Sequence, residues 1–189
     1  PSCAVRRTRI VDSGTLPGMG RNGVRHHVGA RIGGTGFVFD GNDVDGTGYN
    51  GVDLNGPATV SRNRVNGYNR TLSDGGGIYM WQRPGGVTVS DNTVSNGLGV
   101  RAGADSDSTM THGIYVDDNS SGIVVSGNTV HRGGNNGIFL HNTRGVTVTG
   151  NTVAQHTDAQ VWFLDDALGS ESNTGIVFRD NLLIDTDGK

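Results

Sequence analysis

Four nine-residue segments superimpose almost letter for letter: GVTVSDNTV from Gly86, GIVVSGNTV from Gly122, GVTVTGNTV from Gly145 and GIVFRDNLL from Gly175. Weaker copies, FVFDGNDV from Phe37 and ATVSRNRV from Ala58, keep the same Asn followed two residues later by Val. The register is therefore marked by Asn42, Asn63, Asn92, Asn128, Asn151 and Asn181, separated by 21, 29, 36, 23 and 30 residues. A repeat of this length with insertions at set places describes a solenoid, in which each unit buries its apolar side only by stacking on its neighbours. Leucine-rich repeats share the length but need Leu ladders, which the chain lacks. An ordinary hairpin turn at each Asn would not recur at the period of a full coil.

Each marker stands between two short β-branched runs, where the chain must bend without a helix. Asn tolerates the left-handed backbone that such a bend needs, and stacked amides can hydrogen-bond from coil to coil. A further strand family follows the markers: GVDLN from Gly51, GGIYMWQ from Gly76, HGIYVDD from His112, NGIFLHN from Asn136 and AQVWFLDD from Ala159. Three short strands per coil, about seven coils and almost no helix define a right-handed parallel β-helix, one domain over residues 1–189. Alternation turns Val52, Leu54, Ile78, Met80, Ile114, Val116, Ile138, Leu140, Val161 and Phe163 inward. It leaves Asp53, Tyr79, Tyr115, Phe139 and Trp162 in one outer column, with Asn55, Trp81, Asp117, His141 and Leu164 in the next.

Composition removes several alternatives. Gly contributes 33 of 189 residues and hydrophobic residues only 33%. Disorder is nevertheless excluded, because disordered chains do not alternate Val and Ile. The net charge is -3, and the 15 Lys and Arg are scattered apart from the short run Arg6, Arg7, Arg9, so no basic stripe serves nucleic acid. No apolar run approaches the roughly 20 residues of a membrane-spanning helix. The single Cys3 excludes an internal disulfide framework. The first residues, AVRRTRIV, read as a degenerate coil and the last, GIVFRDNLLIDTDGK, stop partway through one. Solenoids need protected ends, so the expectation is a piece of a longer chain, or ends covered by a partner.

An exposed row of Tyr79, Trp81, Tyr115, Phe139 and Trp162 beside Asp53, Asp117, Asp118 and His141 suits a carbohydrate polymer. Sugar rings pack their C–H faces on aromatics, and carboxylates accept from hydroxyls. The alternative is that stacked aromatics merely stabilise the exterior of the helix. Glycosidic cleavage needs two carboxyl groups. Asp117 is the acid that alternation turns outward, while Asp118 falls where a turn is also a natural place for Asp. Asp74 precedes three glycines, Gly75 to Gly77, which would let the backbone curl its carboxylate over the groove. If the strand runs straight, Asp74 and Asp117 are instead offset by seven residues, on the order of 20 Å. His141, one coil above Asp117, is placed to orient or protonate an acid; its alternative, like that of His27 and His112, is an ordinary surface residue.

Insertions from Ser95 and from Asp165 could wall a groove. Their acids, Asp105, Asp107, Asp165 and Asp166, are a possible Ca²⁺ site, although no DxDxDG loop or nine-residue calcium repeat is present, so no cofactor is expected beyond that possibility.

The series GGGIYMW, HGIYVDD, NGIFLHN and GVTVTGNTV resembles the right-handed β-helix carbohydrate-active proteins. Within them it is most similar to the glycoside hydrolases of plant and bacterial polysaccharides, including the family containing α-L-fucosidases and xylanases. The resemblance spans roughly residues 51–183, and such hydrolases are usually longer chains. It implies catalytic aspartates on or near the exposed sheet, at positions matching Asp74 and Asp117 or Asp118. Two other classes stay open: a polysaccharide lyase or uronate epimerase, for which Arg25 and Arg83 are the nearest cations, and a non-catalytic binding or structural β-helix such as part of an adhesin or phage spike. By analogy with other β-helices that meet polysaccharides, the chain is expected to be secreted or at the cell surface.

Overall fold

A computed structural model describes residues 3–18, 26–100, 109–166 and 172–186. The first sheet stacks β1 (Ala4–Arg6), β4 (Phe37–Asp40), β7 (Ala58–Ser61), β10 (Pro84–Ser90), β13 (Ser121–Ser126), β16 (Thr147–Thr149) and β19 (Val177–Arg179). The second stacks β2 (Arg9–Ser13), β5 (Asp43–Thr47), β8 (Arg64–Asn66), β11 (Thr93–Gly97), β14 (Thr129–Gly133), β17 (Thr152–Ala154) and β20 (Leu182–Ile184). The third holds β3 (Ala30–Ile32), β6 (Val52–Leu54), β9 (Gly75–Trp81), β12 (Thr111–Asp117), β15 (Asn136–His141) and β18 (Ala159–Leu164). All pairings between these strands are parallel and join each coil to the next, the architecture of a parallel β-helix, and the described residues contain no helix.

Identical inward positions meet across the coils. Phe39, Val60, Val89, Val125 and Val148 form a column of the first sheet, and Val44, Val65, Val94, Val130 and Val153 one of the second, all buried. The third sheet contributes Val52, Ile78, Ile114 and Ile138, with Leu54, Met80, Val116 and Leu140 two positions on. β-branched side chains in register fill such a core because each column repeats one rotamer on a pleated surface. Phe163 departs from the expected inward set: it is 45% exposed, because β18 is the last described strand of its sheet and no further strand covers it.

The marker amides form the expected ladder. Asn128 Oδ1 accepts from Asn92 N and Nδ2, both at 2.9 Å, and Asn128 passes the pattern on to Asn151 Oδ1. Asn128 Nδ2 also donates to the Val89 carbonyl at 3.0 Å, so the corner between the first and second sheets is paired internally. The left-handed backbone, however, falls one residue earlier than expected, at Gly41, Arg62, Asp91, Gly127, Gly150 and Asp180. The bend is made by that residue, which leaves the Asn amide free to be buried.

Alternation breaks once per coil in the third sheet. A Cβ at Gly51, Gly77, Gly113 or Gly137 would lie 2.1–2.4 Å from Cγ1 of Val65, Val94, Val130 or Val153 respectively. These glycines therefore face the core, as do Val52, Ile78, Ile114 and Ile138 immediately after them. The glycine admits the second sheet's valine column; space, not backbone freedom, requires it.

Candidate functional site

The outer columns of the third sheet have the expected register, since Asp53, Tyr79, Tyr115, Phe139 and Trp162 pair successively, as do Trp81 with Asp117 and His141 with Leu164, while Asp117 and His141 meet through their side chains. Their exposure differs from expectation. Tyr79, Tyr115 and Phe139 are buried at 8%, 2% and 0% relative exposure and form a second apolar cluster, flanked by Met110 and Leu164. Phe139 lies between Tyr115 at 4.7 Å and Trp162 at 4.5 Å between ring centroids, both stacked. Rings spaced by the coil repeat cover one another, so a continuous column hides its own faces. Asp53 is also fully buried, 3.5 Å from the Arg31 guanidinium. Of the five aromatics expected on this face, Trp81 (37%) and Trp162 (38%) present substantial surface.

Asp74 and Asp117 fall at different levels of the sheet, although the charges of both act on Tyr79 and Tyr115. Gly75 to Gly77 lie within β9, and Thr111 pairs with Gly75 while Asp117 pairs with Trp81, so Asp74 stands just before one end of the strand and Asp117 at the level of the other. The glycines are explained by packing: a Cβ on Gly75 would reach Asn50 Oδ1 at 2.3 Å and one on Gly77 would reach Val94. They do not form the flexible arm expected from the sequence.

Three carboxylates converge on His141 at the C-terminal ends of β12, β15 and β18. His141 Nδ1 lies 2.9 Å from Asp117 Oδ1 and 3.6 Å from Asp118 Oδ1, and its Nε2 lies 3.1 Å from Asp166 Oδ2. Tyr79 Oη donates to Asp117 Oδ2 at 2.7 Å, so this tyrosine holds an acid in place. Burial, then the Asp117 charge, raise the Tyr79 hydroxyl well above its ordinary value and keep it a donor. Asn142 Nδ2 donates to Asp118 Oδ1 at 2.7 Å and to Asp166 Oδ1 at 2.9 Å, while Asn142 Oδ1 accepts from Asp166 N at 3.0 Å. Burial works against the charged form of His141. The hydrogen bonds to Asp117 and Asp166, with the charges of Asp117 and Asp118, outweigh it and lift its pKa to about 9. At neutral pH the centre is thus an imidazolium held among carboxylates.

The most enclosed of the acids is Asp117, with 11% of its side chain exposed; Asp118 and Asp166 retain 27% and 28%. Alternation does turn Asp117 outward, but Tyr79 and His141 then cover it. Asp166 and Asn142 are the participants that sequence reasoning did not place here. The available signal was the doubled acid after AQVWFL, which follows its strand as Asp117 and Asp118 end theirs.

Asp117, Asp118 and His141 each offer a ligand atom within 4.8 Å of the others, the group among the described residues able to hold a metal ion. Two carboxylates with an imidazole suit a transition metal better than Ca²⁺, which favours oxygen alone. Asp105 and Asp107, considered above for Ca²⁺, lie outside the described residues, as does Arg25. Arg83 donates to the Leu54 carbonyl and to Asn55 Oδ1.

Comparison with curated proteins and with solved structures finds no match to either. A family model described as "Right handed beta helix region" matches residues 15–183. With three parallel sheets stacked coil on coil and a family match over most of its length, the chain belongs to the right-handed β-helix family.

Proposed function

We propose that the chain is a glycoside hydrolase acting on a polysaccharide outside the cell, with Asp118 and Asp166 as its reacting carboxylates. The observation that carries this reading is the Asn142 amide shared by both. Their Oδ1 atoms accept from one nitrogen, so they can be no farther apart than those two hydrogen bonds laid end to end. That limit accommodates the roughly 5–5.5 Å between carboxyl groups used for double displacement with retention, and favours it over the water-wide gap of inverting enzymes.

In this mechanism Asp118 attacks the anomeric carbon while the departing glycosidic oxygen takes a proton from Asp166 as the His141 imidazolium releases its Nε2 proton to that carboxylate, leaving His141 neutral. Water then displaces Asp118 from the sugar and gives its proton through Asp166 back to His141, and the free sugar leaves with a new reducing end. Asp117, held by Tyr79, positions His141 through Nδ1. The half-exposed Trp81, paired with Asp117 across the strands, offers a face for the sugar bound beside the acids.

A non-catalytic polysaccharide-binding β-helix is the second reading, favoured by how fully Asp117, Asp118, Asp166 and His141 already pair with one another and with Asn142. A lyase or epimerase ranks below both, because Arg83, the nearest described cation considered for it, is bonded to Leu54 and Asn55. Screening plant and bacterial polysaccharides tests all three. New reducing ends without an ultraviolet-absorbing unsaturated product support the hydrolase, absorbance would transfer the chain to the lyases, and retained binding without either product would leave a binding protein.

A further inference from the structure

A second polar feature lies on the same sheet, toward the N-terminal ends of its strands. Two adjoining hollows of about 150 and 260 Å³ share Asn136, Asp158 and Trp162, and the smaller is also lined by Met110 and His112. They are smaller than the roughly 300–1,000 Å³ of pockets that enclose whole drug-sized ligands, and suit one ring of a longer chain.

His112 is the informative member. Its ring packs against Tyr115 and Phe139, with centroids 4.8 and 4.7 Å away, and is 1% exposed. Nδ1 lies 3.2 Å from Asn136 Nδ2, an amide nitrogen that can only donate, so Nδ1 accepts and the proton resides on Nε2. That N–H has no partner among the described residues. Burial lowers the His112 pKa to about 3, so the ring stays neutral and the donor persists throughout the physiological range. A buried donor left unpaired is costly, and native structures keep few of them without a use.

We propose that this hollow is a subsite for a neutral sugar residue of the polymer cleaved at Asp118 and Asp166, a proposal that rests on the hydrolase reading. Trp162 stacks on Phe139 at 4.5 Å and 10°, and remains 38% exposed as a platform for a sugar ring. Asp158, held by Asn135 Nδ2 at 2.7 Å, accepts from hydroxyls, and His112 Nε2, enclosed in this structure, donates to one once the side chains around the ring part to admit the sugar. Among the described lining residues Asp158 is the only charged group, so a uronate carboxylate would meet repulsion with no cation to offset it. Asn136 and His141 are five residues apart along β15, roughly 17 Å of extended strand, so the polymer runs along the strands, over Trp162, to the acids.

The chain has two tryptophans, so a Trp81→Phe variant reports Trp162 fluorescence alone. It would be titrated with xylohexaose, cellohexaose and mannohexaose, and with hexagalacturonate, while cleavage of each is followed with the unaltered chain. Saturable change with a neutral hexasaccharide and none with hexagalacturonate is expected. Adding His112→Phe, which keeps a buried ring but removes the donor, should raise Kd about tenfold with no fall in the urea midpoint. Cleavage of a neutral hexasaccharide with unchanged Trp162 emission would overturn the subsite and leave the hydrolase standing. An emission response without cleavage would uphold the subsite and remove the hydrolase. Equal or tighter binding of hexagalacturonate would overturn the neutral class, and silence in both readouts would overturn both proposals.

Discussion

Asp117 and Asp118 are neighbours in the chain yet meet different surroundings: one is enclosed by Tyr79 and His141, the other opens toward solvent and shares Asn142 with Asp166. Alternation could identify Asp117 as outward-facing, but which side chains close over an outward position depends on the coils above and below. The histidines give the residue scale its test: burial lowers His131 and His156 as well as His112, and His141 alone is raised. His141 has a raised pKa, so its stabilisation is complete below the unfolded value of 6.5 and is lost as pH rises toward about 9. The lowered pKa of His112 acts in the other direction, with stability present above 6.5 and lost as pH falls toward about 3. Urea midpoints measured from pH 4 to 10 should therefore peak near pH 6.5. His112→Phe should make the acid limb shallower, the rest coming from His131 and His156, and His141→Gln should flatten the alkaline one; an unchanged alkaline slope in His141→Gln would refute the imidazolium centre.

Between elements, the third sheet carries two layers of apolar contact, one inside the coil and one in the outer column of Tyr79, Tyr115 and Phe139. The register of both was legible, because GVDL, GIYM, GIYV and GIFL recur once per coil with the same alternation, although 9 to 21 residues separate each from the preceding marker Asn. The burial of the outer column was not, since a period of two assigns a face but does not say what covers it. Nor were the inward glycines legible as spacers: they resemble flexible breaks until the opposing valine column is seen. Gly113→Ala would set a Cβ 2.2 Å from Val130 Cγ1 and should cost about 3 kcal/mol or more, read as a lower urea midpoint. The same Cβ would lie 2.5 Å from the Gly137 carbonyl oxygen, so Val130→Ala should recover only the side-chain part of that loss in the double variant; simple additivity would contradict the packing account.

Taken whole, the molecule is a stack whose coils place the ends of β12, β15 and β18 side by side, so residues 24 and 25 positions apart meet as one acidic centre. The β-helix was legible from the repeat, and Asp117, Asp118 and His141 were legible as neighbours because they end aligned strands. Asp166 was not, because it lies two residues beyond its strand, and its bonds to Asn142 and His141 return it to the centre. Export and a polysaccharide partner follow from the proposed chemistry and stand or fall with it. The most direct test is the initial rate of reducing-end release from the polysaccharide panel by the unaltered chain, Asp118→Asn and Asp166→Asn, with urea midpoints measured in parallel. The account predicts release by the unaltered chain and a loss of at least about 10³-fold in each variant, with midpoints little changed. Variants as active as the unaltered chain, or a chain that binds a polymer and never cleaves it, would contradict the account.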